Sequence, residues 1–254
     1  MARMLLIDLA TASETVAATR SRLAKVDALA QALAAAGPDE VEIAASYLGG
    51  SLRQRRTGLG YASLAHLPDP ASTPTLTVTA VDTAFEHLSS LSGPGSATAR
   101  AAAFGELMGN ATASEQRYLA GLVAGELRQG ALDGLLLEAV AKASGVPPAN
   151  VRRASMLAGS TPAIARAALT GGVPALAAFD LRIGTAVRPM LATSAPTVAA
   201  ALTKASPGGE PVAVEAKLDG IRIQAHKDGD TVRVFTRSLD DVTGRLPEIA
   251  DAVR

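Results

Sequence analysis

The segment Glu215-Ala216-Lys217-Leu218-Asp219-Gly220-Ile221-Arg222 gathers the residue types best suited to chemistry. On a strand, Glu215 and Lys217 project from one face, because side chains alternate with a period of two. Asp219-Gly220 predicts a tight turn that reverses the strand, which leaves Lys217 at a strand end with Arg222 opening the return strand. A lysine held among fixed charges in this way presents an amine nucleophile. An amine of ordinary pKa is protonated at pH 7 and cannot attack. Neighbouring cations or desolvation must lower it, and Arg222 and Arg237 are the cations within reach. The same residues also suit a plain surface hairpin with Lys217 and Asp219 as solvated turn charges. Spacing alone leaves both readings open, because a bare K-x-D-G arises by chance in about one such chain in several dozen.

The elements that must position this segment differ sharply along the chain. Up to about residue 180, apolar residues fall at helical spacing between Gly and Pro breaks. Leu23, Val26, Leu29, Ala30 and Leu33 predict a helix ended by Gly37-Pro38, and Asp39 to Leu48 a second one closed by Gly49-Gly50. Further helices are expected over 82–91 and 97–108, with a loop from Pro68 to Pro74. Thr112 and Glu115 have capping-box spacing and open a helix whose apolar face is Leu119, Leu122, Val123 and Leu127. Leu132 to Val140 begins the next, Pro147-Pro148 restarts the chain, and more helix runs to about Ala168 before Gly171-Gly172. From about residue 210 the period becomes two. Strands are expected over 212–217, over 221–226 and over 232–237, with a hairpin turn at Lys227-Asp228-Gly229-Asp230.

Composition narrows the function classes. The chain has 254 residues, 48% apolar and 19% charged, with no cysteine and three histidines. That excludes a disulfide scaffold and a thiolate metal site, and widely spaced His66, His87 and His226 make a zinc site improbable. No apolar run approaches the roughly 20 residues of a bilayer span, and Asp8 interrupts any secretory core at the N-terminus. A cytoplasmic protein without membrane contact is expected. Lys+Arg and Asp+Glu both number 24, balanced at 15 and 15 up to residue 186 and at 9 and 9 beyond it. A generic polyanion binder would carry a basic excess, so any nucleic-acid surface must be local. His66 and His87 are expected as ordinary surface residues and His226 as an outward strand residue. Tyr47, Tyr61 and Tyr118 are expected in core or edge packing.

Glu-Ala-Lys-Leu-Asp-Gly-Ile-Arg (215–222) resembles motif I of the ATP-dependent DNA ligases. Arg188-Pro189-Met190-Leu191-Ala192 resembles the lead-in to their adenylation domain, and Thr236 to Gly244, followed by Pro-Glu-Ile at 247–249, resembles motif Ia. Ser21-Arg22-Leu23-Ala24-Lys25 and the stretch 115–141, with Gly125-Glu126-Leu127-Arg128-Gln129-Gly130 inside it, are similar to that family's helical DNA-binding domain. A capping enzyme or RNA ligase shares K-x-D-G but would not carry such a helical domain.

The resemblance implies a multi-domain chain. An all-α DNA-binding domain over 1–180 and a linker and lead-in over 181–209 precede the antiparallel β start of an α+β nucleotidyltransferase domain over 210–254. It implies that Lys217 attacks the α-phosphate of ATP and carries AMP, that Glu215 selects adenine, that Arg222 binds ribose and phosphate, and that Arg237 holds the nucleotide or nick phosphates. The implied partner is nicked double-stranded DNA, the implied state a monomer, and the implied place the cytoplasm, on the nucleoid if the source is bacterial. DNA contacts are expected from the loop Ser51 to Gly60, through Arg53, Arg55 and Arg56, and from Arg128, Arg152 and Arg153. The family's later motifs, its magnesium-binding acids among them, have no counterpart up to Arg254. No metal ligand is expected in this chain, and the chain alone is expected not to self-adenylate. A non-catalytic fragment that binds nicks is the alternative.

Overall fold

A computed structural model describes residues 3–54, 56–127, 132–190, 193–216 and 219–254. The chain divides into two compact units, Met1–Asp180 and Leu181–Arg254.

The first unit is all helical: α1 (Leu6–Ala18), α2 (Arg22–Ala35), α3 (Val41–Leu48), α4 (Val78–Ser90), α5 (Ser96–Gly109), α6 (Ala113–Ala124), α7 (Leu132–Ser144), α8 (Pro148–Ala158) and α9 (Thr161–Ala177). Local chemistry sets their ends. The hydroxyls of Ser21, Thr77 and Ser160 each accept the backbone N–H three residues on, which satisfies a first-turn donor. Thr112 and Glu115 close the expected box: the Glu115 carboxylate accepts the Thr112 N–H at 2.8 Å, and Thr112 Oγ1 accepts the Glu115 N–H at 3.4 Å. Gly125 and Gly159 end α6 and α8 in the left-handed region, where a Cβ is costly. Pro148 opens α8 in its first turn, where a missing N–H costs nothing.

Two helices depart from expectation. Leu6, Leu9, Ala10, Ser13 and Val16 bury one face of α1. Their spacing is helical, and Asp8 accepts the Leu5 N–H at 3.1 Å, favourable at a helix N-terminus. Helix α9 does not end near Ala168. It continues to Ala177 across a kink at Gly172, whose φ of +61° and ψ of −147° leave the helical region just before Pro174. The core is continuous. Leu6, Leu9, Leu29, Tyr47, Phe85 and Leu119 are among its fully buried side chains, and α2 packs on α7, α3 on α9 and α1 on α2 and α6.

The second unit is thin. An antiparallel hairpin of β1 (Ile223–Asp228) and β2 (Thr231–Thr236) pairs Ile223 with Thr236, Ala225 with Val234 and Asp228 with Thr231. Its two-residue loop begins at Gly229 with φ of +56°, which glycine tolerates freely. One face carries Val232 and Val234, buried with Val242 against Ala250 of α11 (Pro247–Val253). The short α10 (Val198–Ala205) has no buried residue.

The strand expected over 212–217 is not formed in its described part: residues 211–216 lie outside any strand, with Val214 86% exposed. Alternation makes a strand only where a neighbouring strand takes up its N–H and C=O groups. Among the described residues, the sheet contains β1 and β2 alone. For the same reason the return strand starts at Ile223, and Ile221 is exposed.

Candidate functional site

The register of the hairpin assigns its two faces. Gln224 and His226 stand on the face opposite Val232 and Val234, beside Phe235. This face holds the segment 184–188. The Gln224 side-chain amide accepts the Val187 N–H at 3.0 Å and donates to the Val187 carbonyl at 2.5 Å, so a side chain does what a neighbouring strand would otherwise do. His226 Nδ1 accepts the Gly184 N–H at 2.9 Å, which places a neutral ring's proton on Nε2. The imidazole meets the Phe235 ring edge-on, with centroids 5.1 Å apart. His226 is therefore half-buried and engaged, not an outward strand residue. Strand alternation alone turns His226 outward, but the segment 184–188 covers that face.

These contacts create a hollow of about 480 Å³, lined by Arg188, Met190, Arg222, Gln224, Thr236 and Arg237 among others. Arg222 and Arg237, far apart in sequence, converge here. Arg188 joins them, although no role had been assigned to it. The signal was its place in the lead-in, but only the Gln224–Val187 bonds show that the lead-in lies along this strand. No Asp or Glu is among the described lining residues, so the hollow suits anionic phosphate.

The Arg237 loop is held by its own backbone. The Thr236 N–H donates to the Asp240 carbonyl and the Leu239 N–H to the Thr236 carbonyl, both at 3.0 Å. Leu239 adopts φ of +69°, the one left-handed non-glycine residue among the described residues. Asp241 accepts the Thr243 hydroxyl at 2.6 Å and the Thr243 N–H at 3.0 Å. The hydroxyl bond first, then the backbone bond, holds its carboxyl below the usual range.

Glu215 is exposed in residues 211–216 and does not line the hollow. Lys217 lies outside the described residues, as do Arg55 and Arg128.

In the helical unit the other candidate arginines occupy different settings. Arg53 Nη1 donates to Asp82 Oδ2 at 2.6 Å. Arg56 is exposed. Arg152 is exposed on α8, whereas Arg153 donates to the Phe179 carbonyl at 3.1 Å and lies 3.5 Å from Asp180. Tyr47 and Tyr118 are buried as expected, and Tyr61 is 66% exposed.

Comparison with known proteins bears directly on this arrangement. Residues 189–254, which contain motif I and both Arg222 and Arg237 of the hollow, match the family described as "ATP dependent DNA ligase domain". Residues 66–141 of the helical unit match "DNA ligase N terminus". The two matches together take in more than half of the chain. The chain belongs to the ATP-dependent DNA ligase family. Relatives agree along its whole length. A "Probable DNA ligase" of Beutenbergia cavernae is 60% identical over 99% of this chain, and those of Nocardioides sp. and Kineococcus radiotolerans are each 55% identical over 99%. In each case the aligned part is 50% of the relative, so the chain spans about half the length of the ligases it matches.

Within this ligase family chain, magnesium finds no ready site among the described residues, where no three Asp, Glu or His side chains form a group able to hold a metal ion. No helix among them is long and apolar enough to cross a membrane.

Proposed function

We propose that this chain supplies the DNA-binding unit and the opening of the adenylation domain of an ATP-dependent ligase that seals nicks in duplex DNA during replication, recombination and repair. Lys217 Nζ, having lost its proton, attacks the α-phosphorus of ATP. A P–N bond forms, the bond to the β-phosphate oxygen breaks, and pyrophosphate leaves. The 5′-phosphate of the nick then takes the adenylyl group, breaking the P–N bond and forming a P–O–P linkage. Finally the 3′-hydroxyl attacks the 5′-phosphate and AMP departs. Each step stores the leaving-group energy that the next requires. Arg222 and Arg237 steady the phosphates in the hollow, with Arg222 also near the ribose, while Glu215 reads the adenine. The enzyme acts as a monomer in the cytoplasm, on the nucleoid if the source is bacterial.

The observation that carries this reading is the convergence of Arg222 and Arg237 on one hollow that is free of acids among its described lining residues. By itself the 254-residue chain binds nicked duplex without charging Lys217. That is the non-catalytic reading applied to the chain alone, and it is supported by Glu215 standing exposed outside the hollow.

The test joins this chain to the second half of the Beutenbergia cavernae relative. Labelled ATP with magnesium is expected to label the chimera on Lys217 and to seal a nicked duplex, and Lys217→Ala abolishes both. A folded chimera that neither labels nor seals would overturn the ligase reading. A covalent AMP adduct on the 254-residue chain alone would overturn only its proposed inactivity.

A further inference from the structure

Asp82, on the second turn of α4, is the acceptor on which the arginine-bearing loop converges. Its side chain is only 14% exposed, whereas that of Arg53 is 42% exposed. Oδ2 takes Arg53 Nη1 at 2.6 Å, and Oδ1 takes Gln54 Nε2 at 3.1 Å. The buried Tyr47 hydroxyl, on α3, donates to the same Oδ1 at 3.5 Å. Gln54 Nε2 also reaches the Asp82 carbonyl at 3.4 Å and Glu86 Oε2 at 3.3 Å. A carboxylate this covered needs partners, and two consecutive residues of one loop supply them. Burial, reinforced by the Asp82 charge, pushes the Tyr47 phenol up and keeps its proton available for donation.

We propose that Asp82 is a positioning residue that anchors the loop between α3 and α4 so that Arg56 faces DNA phosphate, with Arg53 engaged in the anchor rather than on DNA. The proposal rests on the reading that this loop binds DNA. An Arg charge neutralised at 2.6 Å releases few counterions on DNA binding, whereas an exposed arginine that meets phosphate releases its full share. The neighbouring residues fit this division: Thr57 is buried and Arg56 exposed.

The test compares Arg53→Gln, Arg53→Lys and Arg56→Gln in the 254-residue chain. Two readouts are taken: the salt dependence of binding to a nicked duplex, and amide hydrogen exchange across residues 51–60 without DNA. Arg56→Gln is expected to lower the slope of log affinity against log salt by about 0.9 and leave exchange unchanged. Arg53→Gln is expected to speed loop exchange about tenfold and weaken binding severalfold at every salt concentration with the slope unchanged, as one lost charged hydrogen bond implies. Arg53→Lys, which keeps a charged donor for Asp82, restores most of the exchange protection. The inference is overturned if Arg53→Gln lowers the slope or leaves exchange unchanged, or if Arg56→Gln leaves the slope unchanged. If the parent chain binds no nicked duplex, the DNA-binding reading falls, while the exchange experiment still decides whether Asp82 anchors the loop.

Discussion

The helical unit and the hairpin unit solve the same problem with very different means. The first surrounds Leu6, Leu9, Leu29, Tyr47, Phe85 and Leu119 on all sides with further helices. The second shelters Val232, Val234 and Val242 against Ala250 of one seven-residue helix, while Val198, Val214 and Ile221 stand in solvent. Each fully buried large apolar side chain stabilises a fold by roughly 1.5–3 kcal/mol. The helical unit therefore holds its shape by packing. The hairpin unit depends on a few hydrogen bonds, Gln224 to Val187 and His226 to Gly184 foremost.

The sharpest way to break this contrast is to delete apolar volume in both units. Phe85→Ala is expected to cost the helical unit about 3–5 kcal/mol in denaturant unfolding, because the cavity cannot collapse among close-packed helices. Val214→Ala is expected to change stability by less than about 0.5 kcal/mol. A comparable loss from both would show that residues 211–216 are packed after all.

A smaller effect is expected at His226. His226→Ala removes the acceptor of the Gly184 N–H, worth about 1 kcal/mol, and should speed exchange at the Gly184 amide about fivefold while leaving the helical unit untouched. Unchanged exchange there would mean that Gln224 on Val187 and Arg233 on the Gly184 carbonyl suffice to hold the lead-in.

The smallest effect is a titration. Because Asp241 has its folded pKa depressed, its stabilising contribution is fully present above its unfolded pKa, near 4, and is lost as pH falls through the lower folded value. Its carboxyl resonance should therefore titrate below the usual Asp range, and Thr243→Val should move the midpoint back up. A midpoint that does not move would remove Thr243 as the cause.

Much of the helical unit was legible because its signals are local. The Thr112–Glu115 box, Pro148 and the Gly37-Pro38 break act within one turn of the residues they govern, and the hairpin loop at Gly229 is as local. Helix α1 is legible too in its Leu6, Leu9, Val16 spacing, although its apolar run also has the look of a secretory core cut short by Asp8. The site was only partly legible. Motif spacing pointed to Arg222 and Arg237, yet it could not show that Arg188 shares their hollow, because that depends on Gln224 bonding a residue 37 positions away.

The amino-acid order by itself determined the capped helix ends at Ser21, Thr112 and Pro148, the presence of a hairpin about Gly229 and the identity of the charged residues, since each follows from neighbours a few positions apart. Tertiary structure alone decided that residues 211–216 remain outside the sheet, that His226 is covered, and that Arg53 turns inward to Asp82. Each of these outcomes depends on whether a distant group is present to complete a hydrogen bond, and local periodicity carries no record of that.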